Sequence, residues 1–372
     1  MKRILSQCAR LGGLVALLAG ITLTTASADD ELLIGTLFPL TGPGAAVGKE
    51  MQAGVDFAIE KINAAGGIDG MKVRAVIEDT GGRPDQAVLS FNRLVERDGV
   101  PVMLSAYSSV ALAVAPLATR NEVLVINPGA QSDSLGDASP YLLNTIPLVR
   151  DEAPVLAKFV TEKIGKTAAI IYENAAAGND GRNDFKATFE AAGGTILAEE
   201  PIEFGQTNYR PTLLKVAGLK ADMVYVVMTQ SHAVFAEQVG QIADFPQVVG
   251  HTFSTPFFGS PGAIGWYNTS VRSNVPDDLA KEFKEKTGAA EFGLFAREYF
   301  NAVNIIAKAA SKIRSDNSEL NGSSIREAIF SIGTFNSDIA DIVFEGSNTA
   351  KRPVDILQNT ESARVRIPFE QN

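Results

Sequence analysis

Short apolar runs alternate with longer segments of helical spacing along the first part of the chain. The run LLIGTLFPL at 32–40 is continuous and bounded by proline and glycine, which predicts a buried strand. Residues 48–65 carry Met51, Val55 and Ile62 at helical spacing, and the glycines of the following AAGGIDG suit a helix end. The strand-like runs MKVRAVIED, VPVMLSAY and VLVIN continue the alternation. This order predicts a parallel sheet covered by helices on both faces.

The same alternation restarts after Pro147. Helical patterns are predicted at 151–164, 180–192, 209–218 and 232–243, between the strand-like runs TAAIIYE, TILAEEPIE, DMVYVVM and QVVGHTF. Residues 277–331 are mostly helical in pattern, and short strands and turns follow at 341–359. The sequence therefore predicts an α/β protein with two doubly wound parallel-sheet units and a boundary near residue 147.

The first 28 residues are typical of a secretory signal peptide. Lys2, Arg3 and Arg10 precede an apolar run at 11–23, and the small-x-small pattern of 26–28 follows. We predict cleavage after Ala28 and a soluble periplasmic product, with an N-terminal membrane anchor as the less favoured alternative. The only cysteine, Cys8, precedes the apolar run, so it is not a lipoprotein cysteine. The mature chain then has no thiol for disulfides or catalysis.

The mature chain is strongly acidic. Three of the 33 Lys and Arg residues, and none of the 43 Asp and Glu residues, precede the cleavage site, so its net charge is −13. A nucleic-acid partner would need a basic face and is not expected. A small anionic ligand is compatible with this charge, because a local site can oppose the global field.

The glycine-rich stretch LTGPGAAVGKE at 40–50 resembles a phosphate loop only superficially. A Walker A loop has four residues between its glycines and ends in Lys and Ser or Thr, whereas five residues separate Gly42 from Gly48 and Glu50 follows the lysine. A dinucleotide loop needs G-x-G-x-x-G, and Gly42, Gly44 and Gly48 give G-x-G-x-x-x-G. The stretch is better interpreted as a turn that leads into a helix.

Enzymatic and metal chemistry find little support. His232 and His251 have no metal-ligand spacing, and the chain has no G-x-S-x-G motif. For His251, a half-buried histidine with satisfied hydrogen bonds is favoured over a ligand contact. We therefore expect no catalytic residue, no metal and no cofactor, and a secreted enzyme is the weaker alternative.

Two polar strand-to-helix junctions favour a binding site instead. Ser108 and Ser109 follow the third strand, and Gly129, Ala130 and Gln131 follow the fourth. Ligands of open parallel sheets bind beyond the carboxyl ends of the strands, near the N–H groups of helix N-termini. A plain helix cap would by itself explain Ser108. Two adjacent junctions of this kind favour a ligand site.

The residues at these junctions belong to a longer resemblance. The stretch FPLTGPGAAVGKEMQAGVDFAIEKINAAGGIDGMKVRAVIEDTGGRPDQAV, with YSSVALAVAPLA, VINPGAQS and FEGSNTAKRPVDILQ further on, resembles the leucine/isoleucine/valine-type periplasmic binding proteins of ABC importers. The resemblance implies a type I Venus-flytrap fold with three crossing segments. It places residues 29–146 and 273–352 in lobe one, and residues 147–272 and 353–372 in lobe two.

The resemblance also implies a set of ligand-binding positions. In that family a serine hydroxyl and backbone groups hold the solute carboxylate, and two tyrosines and an acidic residue of lobe two complete the site. The matching positions here are Tyr107, Ser108, Ser109, Gly129, Ala130 and Gln131 in lobe one, and Ala177, Thr229, Thr252 and Phe253 in lobe two. The amide of Gln131 replaces the usual hydroxyl and can still donate a hydrogen bond.

The lobe-two positions depart from the amino-acid-binding pattern. The acidic residue that pairs with the ligand ammonium would fall at 251–253, where the chain has His-Thr-Phe. A buried ammonium without a partner is costly, unless Glu173, Asp180 or Asp184 substitutes. We therefore expect an amino acid or related small carboxylate, with a slight preference for an aromatic or branched acid without an amino group. The resemblance further implies an ABC permease as partner and a monomer, with a ligand-sensing receptor subunit as the alternative role.

Overall fold

The computed structural model describes residues 31–252, 260–361 and 363–369. The predicted signal peptide and Phe253 lie outside these described residues. Within them, the chain forms two α/β lobes, each built around a largely parallel sheet. The predicted fold class is confirmed.

The sheet of lobe one contains the first five strands, all parallel, in the order β2-β1-β3-β4-β5. The strands are β1 Glu31–Phe38, β2 Lys72–Asp79, β3 Val102–Ser105, β4 Leu124–Asn127 and β5 Leu142–Asn144. The connecting helices are α1 Ala45–Ala64, α2 Pro84–Glu96 and α3 Ser108–Asn121. Because β2 and β3 lie on opposite sides of β1, the loops at this switch point diverge and leave a crevice at the carboxyl ends of the strands.

The sheet of lobe two repeats this plan. Its order is β14-β13-β10-β9-β8-β6-β7, so that β7, β6, β8, β9 and β10 correspond to the strands of lobe one. These strands are β6 Thr167–Glu173, β7 Thr195–Ile202, β8 Met223–Val227, β9 Gln247–His251 and β10 Tyr267–Val271. The helices are α4 Val149–Lys163, α5 Ala176–Ala191, α6 Arg210–Ala217 and α7 His232–Val239. Strands β13 Val354–Asn359 and β14 Arg364–Ile367 add to the far edge in antiparallel direction.

The late helices return to lobe one. They are α8 Asp277–Thr287, α9 Leu294–Ser315 and α10 Gly322–Ile332, followed by the hairpin β11 Thr334–Asn336 and β12 Asp341–Val343. Helix α9 covers one face of the first sheet, and Ile34, Phe57 and Ile306 pack in the same cluster. Leu37 and Phe91 belong to the cluster on the opposite face. The continuous apolar strands are explained by this burial on both faces.

Three segments, 145–148, 272–276 and 349–353, connect the lobes. Arg352 lies on the third segment and donates to the backbone oxygens of Thr145 on the first, at 3.1 Å, and of Arg272 on the second, at 3.3 Å. Its guanidinium also pairs with Glu298 of α9, and both side chains are fully buried. One side chain thus ties all three crossings to the core of lobe one.

Several elements differ from the sequence expectation. The short strands β5, β10, β11 and β14 were not predicted, and α7 ends at Val239 rather than at residue 243. Helix α5 begins at Ala176 rather than near residue 180. Among the described residues, no helix combines the length and apolar character that crossing a membrane requires.

Candidate functional site

The carboxyl ends of the strands of the two lobes face each other across a cleft. Its deeper part, the inner chamber, is a cavity of about 40 Å³. Lobe one lines it with residues from the loops after β3 and β4 and from two helices, namely Tyr107, Ser108, Gly129, Ala130, Gln131, Met51 and Phe295. Lobe two lines it from α5 and from the ends of β8 and β9, with Ala177, Val227, Met228, Thr229, His251 and Thr252.

A larger cavity of about 260 Å³, the outer chamber, adjoins the inner one. The two chambers share Tyr107, Ser108, Ala177 and Thr229. The remaining walls of the outer chamber are residues 82–84 and Ser109 of lobe one, and Glu173, Ala175, Ala176 and Phe204 of lobe two. The cleft is therefore a two-part cavity with Tyr107 at the junction.

The structure brings together most of the positions singled out in the sequence. Tyr107, Ser108, Gly129, Ala130, Gln131, Ala177, Thr229 and Thr252 line the inner chamber. Ser109 lines only the outer chamber, and Phe253 lies outside the described residues. Sequence reasoning did not identify Met51, Val227, Met228 and Phe295 as lining residues. Val227 and Met228 directly precede Thr229, so their strand end was the available signal, whereas Phe295 comes from a distant helix.

Tyr107 has an unusual backbone and side-chain environment. Its φ is 65° and its ψ is 138°, a sparsely populated region for a residue other than glycine. The ring is buried, packs edge-on against Phe204 of lobe two at 5.9 Å, and its hydroxyl has no hydrogen-bond partner among the described residues. A Cβ at Gly44 would lie 2.4 Å from that hydroxyl, so the glycine leaves room for it. Burial, and secondarily the charge of Glu173, raise the pKa of Tyr107 well above its ordinary value.

Ser108 is the first residue of α3, not its cap. Tyr107 takes the N-cap position without a capping side chain, which corrects the helix-cap interpretation of Ser108. The Ser108 Oγ accepts a hydrogen bond from the Ser132 N–H at 3.1 Å, and its own O–H is left as a donor at the chamber wall. The helix N-terminus at this point favours negative charge.

The loop after β4 is held by Asn127. Its Oδ1 accepts from the N–H groups of Gly129 at 3.3 Å and Ala130 at 2.8 Å, and its Nδ2 donates to the Asn144 Oδ1 at 2.8 Å. Two N–H groups of this loop are therefore used within the protein.

The amide of Gln131 is also engaged within the protein. Its Nε2 donates to the Pro147 oxygen at 3.1 Å and to the Glu152 Oε1 at 2.8 Å. These bonds use both amide protons, so the expectation that Gln131 donates its side-chain N–H to a solute has no support.

Glu152, in the first turn of α4, was missed by sequence reasoning because no local motif marks it. It is fully buried, and besides Gln131 it accepts from the Thr252 Oγ1 at 3.2 Å and the Thr269 Oγ1 at 2.5 Å. Burial raises the pKa of Glu152 to about 7, although these hydrogen bonds favour the charged form. The carboxyl group of Glu152 therefore holds a proton more tightly than an exposed glutamate does.

A second buried carboxylate, Glu173, ends β6 in the wall of the outer chamber. The Thr229 N–H and Oγ1 donate to it at 3.1 Å and 2.9 Å. Burial raises the pKa of Glu173, and the two donors from Thr229 oppose this shift. Of the three acids predicted as possible partners for a ligand ammonium, Glu173, Asp180 and Asp184, only Glu173 is among the described residues that line the chambers.

His251 both lines the inner chamber and has a hydrogen-bond partner. Its Nδ1 lies 2.8 Å from the Tyr225 hydroxyl. Burial lowers the pKa of His251 to about 4, so the ring is neutral at neutral pH. The expectation of a satisfied histidine is met, and the side chain is more deeply buried than the half-burial expected.

The lobes also contact each other beside the chambers. The Asp180 Oδ2, on α5 of lobe two, accepts from the Ser132 Oγ at 2.5 Å and from the Asp133 N–H at 3.0 Å, both in lobe one. Charge-assisted bonds of this kind hold the cleft in the closed arrangement. In the residues that the structure describes, no group of three His, Cys, Asp or Glu side chains is placed to hold a metal ion.

Two α/β lobes that are joined by three crossings and close on a solute-sized cleft at their sheet switch points define a bilobal solute-binding protein. Residues 31–363 match the family of periplasmic binding proteins, and the chain belongs to this family. It is a type I member, of the kind that serves ABC transporters rather than catalysing a reaction. The resemblance that the sequence motifs carry is confirmed.

Individual relatives span almost the whole chain. The leucine-, isoleucine-, valine-, threonine- and alanine-binding protein of Pseudomonas aeruginosa is 29% identical over 351 residues, which cover 90% of this chain and 92% of that protein. The substrate-binding protein LivJ of Streptococcus pneumoniae, solved with isoleucine, has a TM-score of 0.81 and 21% identity over 91% of this chain and 99% of its own. A solute-binding protein of Rhodopseudomonas palustris, solved with benzoate, has a TM-score of 0.82 and 18% identity over 91% and 95%. At these identities the two solved structures establish the fold alone.

Proposed function

We propose that this protein captures a small organic carboxylate with an aromatic or branched body and delivers it to an ABC permease of the inner membrane. The carboxylate binds in the inner chamber near the Ser108 hydroxyl and the N-terminus of α3, and the body extends past Tyr107 into the outer chamber. The observation that carries the proposal is the composition of the inner chamber. Among its described lining residues there is no acid, and Met51, Val227, Met228 and Phe295 are apolar.

The absence of an acidic lining residue bears on whether the solute has an amino group. A buried ammonium needs a charged partner, and without one the cost is several kcal/mol, on the order of that for other unpaired buried charges. Glu152 lies behind Gln131 and Thr252, and a neutral His251 does not attract a cation. These features favour a solute that lacks the amino group.

An amino acid is the second candidate, and the position of Glu173 favours it. This carboxylate lines the outer chamber and could accept an ammonium proton in addition to the bonds from Thr229. The Pseudomonas relative is named as a leucine-, isoleucine-, valine-, threonine- and alanine-binding protein, which also favours an amino acid. The benzoate and isoleucine complexes show that this fold accommodates both solute classes.

Capture proceeds by closure of the lobes. The open form binds the solute through lobe one, and lobe two then closes and excludes water from the cleft. The bonds from Ser132 and Asp133 to Asp180 form only when the lobes meet, so they contribute to the closed state that a permease would recognise. We place the lobe boundaries after residues 146, 272 and 352.

The remaining parts of the proposal concern the mature protein. We assign solute contacts to the predicted positions of both chambers, including Ser109, and to Phe253. We further propose export to the periplasm, cleavage after Ala28 and function as a monomer. Mass spectrometry of the periplasmic protein and of any co-purifying small molecule tests these assignments.

The solute class is tested by calorimetry and thermal shift with benzoate, 4-methyl-2-oxopentanoate, leucine and valine on the mature protein. Benzoate or the keto acid is expected to bind at one equivalent, with a stabilisation of about 2.7 kcal/mol at one hundred times Kd. Stabilisation by leucine and valine alone would contradict the proposal.

A pair of variants separates the two candidates. Glu173→Gln leaves binding of a non-amino carboxylate unchanged, whereas it weakens amino-acid binding by about tenfold or more if Glu173 holds the ammonium. The exposed Glu203→Gln is the matched control in the same lobe.

A further inference from the structure

Glu152 links chamber walls that belong to different lobes. Gln131, in the loop after β4 of lobe one, donates to one carboxyl oxygen at 2.8 Å. Thr252, at the end of β9 of lobe two, donates to the same oxygen at 3.2 Å, and Thr269 of β10 donates to the other at 2.5 Å. Gln131 and Thr252 both line the inner chamber, whereas Glu152 does not. Glu152 therefore acts on the chamber through the side chains that it holds.

We propose that Glu152 is a positioning residue that couples capture of an anionic solute to uptake of one proton. This inference rests on the proposed function, because it requires a carboxylate in the inner chamber. The solute carboxylate and the carboxyl group of Glu152 lie on opposite sides of Gln131 and Thr252. Two negative charges separated by only one layer of side chains repel strongly, because the site is closed and water is excluded. The pair is stable when Glu152 carries a proton.

The hydrogen bonds of Glu152 allow both protonation states. The charged form accepts from Gln131, Thr252 and Thr269, and the neutral form can donate its O–H to the hydroxyl of Thr269, whose oxygen can also accept. The two forms therefore hold the chamber wall in one arrangement. Burial has already raised the pKa of Glu152 to about 7 without a solute. A bound anion raises it further, so protonation accompanies binding at and above neutral pH.

Other titratable groups lie on the elements that pack around Glu152. Asp151 on α4 raises the pKa of Glu152 by its charge. On β8 and β9, burial raises the pKa of Tyr225 well above 10 and lowers that of His251 to about 4, so neither changes charge near pH 7. On β13, Asp355 forms ion pairs with Arg272 and Arg366. Strand β10 carries Tyr267, two residues before Thr269.

On helix α5, Asp184 is a second carboxyl group whose pKa is raised towards neutrality. Burial, together with a hydrogen bond and repulsion from Asp133, raises the pKa of Asp184 to about 7. Asp133 belongs to lobe one and Asp184 to lobe two, so this pair also responds to closure. Asp184→Asn is therefore a necessary control.

Proton uptake is measured by titrating benzoate and 4-methyl-2-oxopentanoate into the mature protein at pH 8, in two buffers of different ionisation enthalpy. The expected uptake approaches one proton per bound solute, and the affinity falls by up to about tenfold per pH unit above pH 7. Glu152→Gln, which resembles the neutral carboxyl group, is expected to bind with no proton uptake and a flat pH profile. Asp184→Asn on α5 and Glu162→Gln, at an exposed position of α4, the helix of Glu152, are expected to retain the uptake.

A second measurement needs no solute. The thermal midpoints of the wild type and Glu152→Gln are compared from pH 5 to pH 8. Because the pKa of Glu152 is raised in the folded state above its ordinary value of 4.5, its contribution to stability is full below pH 4.5 and is lost as the pH rises to about 7. The wild type is therefore expected to lose stability relative to Glu152→Gln over this range.

The outcomes separate this inference from the solute assignment. Proton uptake that persists in Glu152→Gln, that disappears in Asp184→Asn, or that is absent from the wild type overturns the inference. If no carboxylate binds, the solute assignment fails, and the comparison of thermal midpoints still tests whether Glu152 is protonated in the folded protein. In that case a difference in thermal midpoint between the wild type and Glu152→Gln that does not change with pH overturns the inference.

Discussion

Tyr107 combines two features that raise the free energy of the solute-free protein. Its backbone lies at positive φ, and its buried side chain carries a hydroxyl without a hydrogen-bond partner among the described residues. A strained backbone costs of order 1–3 kcal/mol, and an unsatisfied buried hydroxyl costs a similar amount. Such a residue persists where the surroundings fix it, and here Gly44, Gly82 and Phe204 pack against it. Its hydroxyl is a donor held ready at the junction of the two chambers.

Tyr107→Phe should therefore have opposite effects on stability and on binding. Removal of the unpaired hydroxyl is expected to stabilise the solute-free protein by up to about 1 kcal/mol, while affinity for the bound solute falls by about 3- to 10-fold. Urea unfolding and calorimetry measure the two effects. Tyr141→Phe is the control, because the Tyr141 hydroxyl is bonded to the Ser323 hydroxyl at 2.6 Å away from the cleft. Lower stability with unchanged affinity in Tyr107→Phe would refute the role given to this hydroxyl.

The residues of the cleft differ in how far the sequence predicts them. Ser108 and Gly129 lie at strand-to-helix junctions, and such junctions are recognisable from local patterns. Glu152 and Phe295 reach the site from helices distant in sequence, and only the tertiary packing brings them there. The hydrogen bonds that occupy the amide of Gln131 are likewise invisible in a motif, because Glu152 is 21 residues away.

At the scale of elements, the packing of α1 on α9 depends on one glycine. A Cβ at Gly54 would lie 2.0 Å from the backbone oxygen of Ala296, which is too close for any real side chain. The two helices therefore approach at the backbone level, and this approach brings Met51 and Phe295 to the same wall of the inner chamber.

Gly54→Ala tests this contact by the sign of its effect. In an exposed helix position the change would stabilise by roughly 1 kcal/mol, because alanine is the better helix former. Here overpacking is expected to destabilise the protein by about 1–3 kcal/mol, as measured by the urea midpoint. Lys49→Ala at an exposed position of α1 serves as the control and should change stability little. A more stable Gly54→Ala variant would show that the helices can separate without cost.

The alternation of strands and helices predicted nearly every long element, because strands buried on both faces are apolar throughout. The short strands escaped prediction for a physical reason. Strand β5 has three residues, and its Asn144 is fixed by side-chain bonds to Asn127 and Thr349 rather than by a local pattern. Strand β10 is polar at Asn268, Thr269 and Ser270, so it lacks the apolar pattern of the other strands, and its Thr269 hydroxyl donates to the buried Glu152.

For the whole molecule, closure requires crossings that bend together while both lobes stay rigid. Arg352 meets this requirement, because it bonds to the backbone of the other two crossings and to Glu298 inside lobe one. A buried ion pair adds little net stability compared with an apolar pair of similar volume, yet the loss of one partner leaves an uncompensated charge.

Arg352→Met is therefore expected to destabilise the protein by about 3–5 kcal/mol, because Glu298 is then buried without its partner. The double variant Arg352→Met/Glu298→Leu removes both charges and is expected to recover most of this loss. Urea unfolding of the wild type, both single variants and the double variant closes the cycle. A double variant no more stable than Arg352→Met would show that the bonds from Arg352 to the crossing segments, rather than the ion pair, account for its contribution. In either case the three crossing segments lose Arg352, which joins them. The solute-free double variant should therefore populate the open form more than the wild type does. X-ray scattering would detect this as a larger radius of gyration.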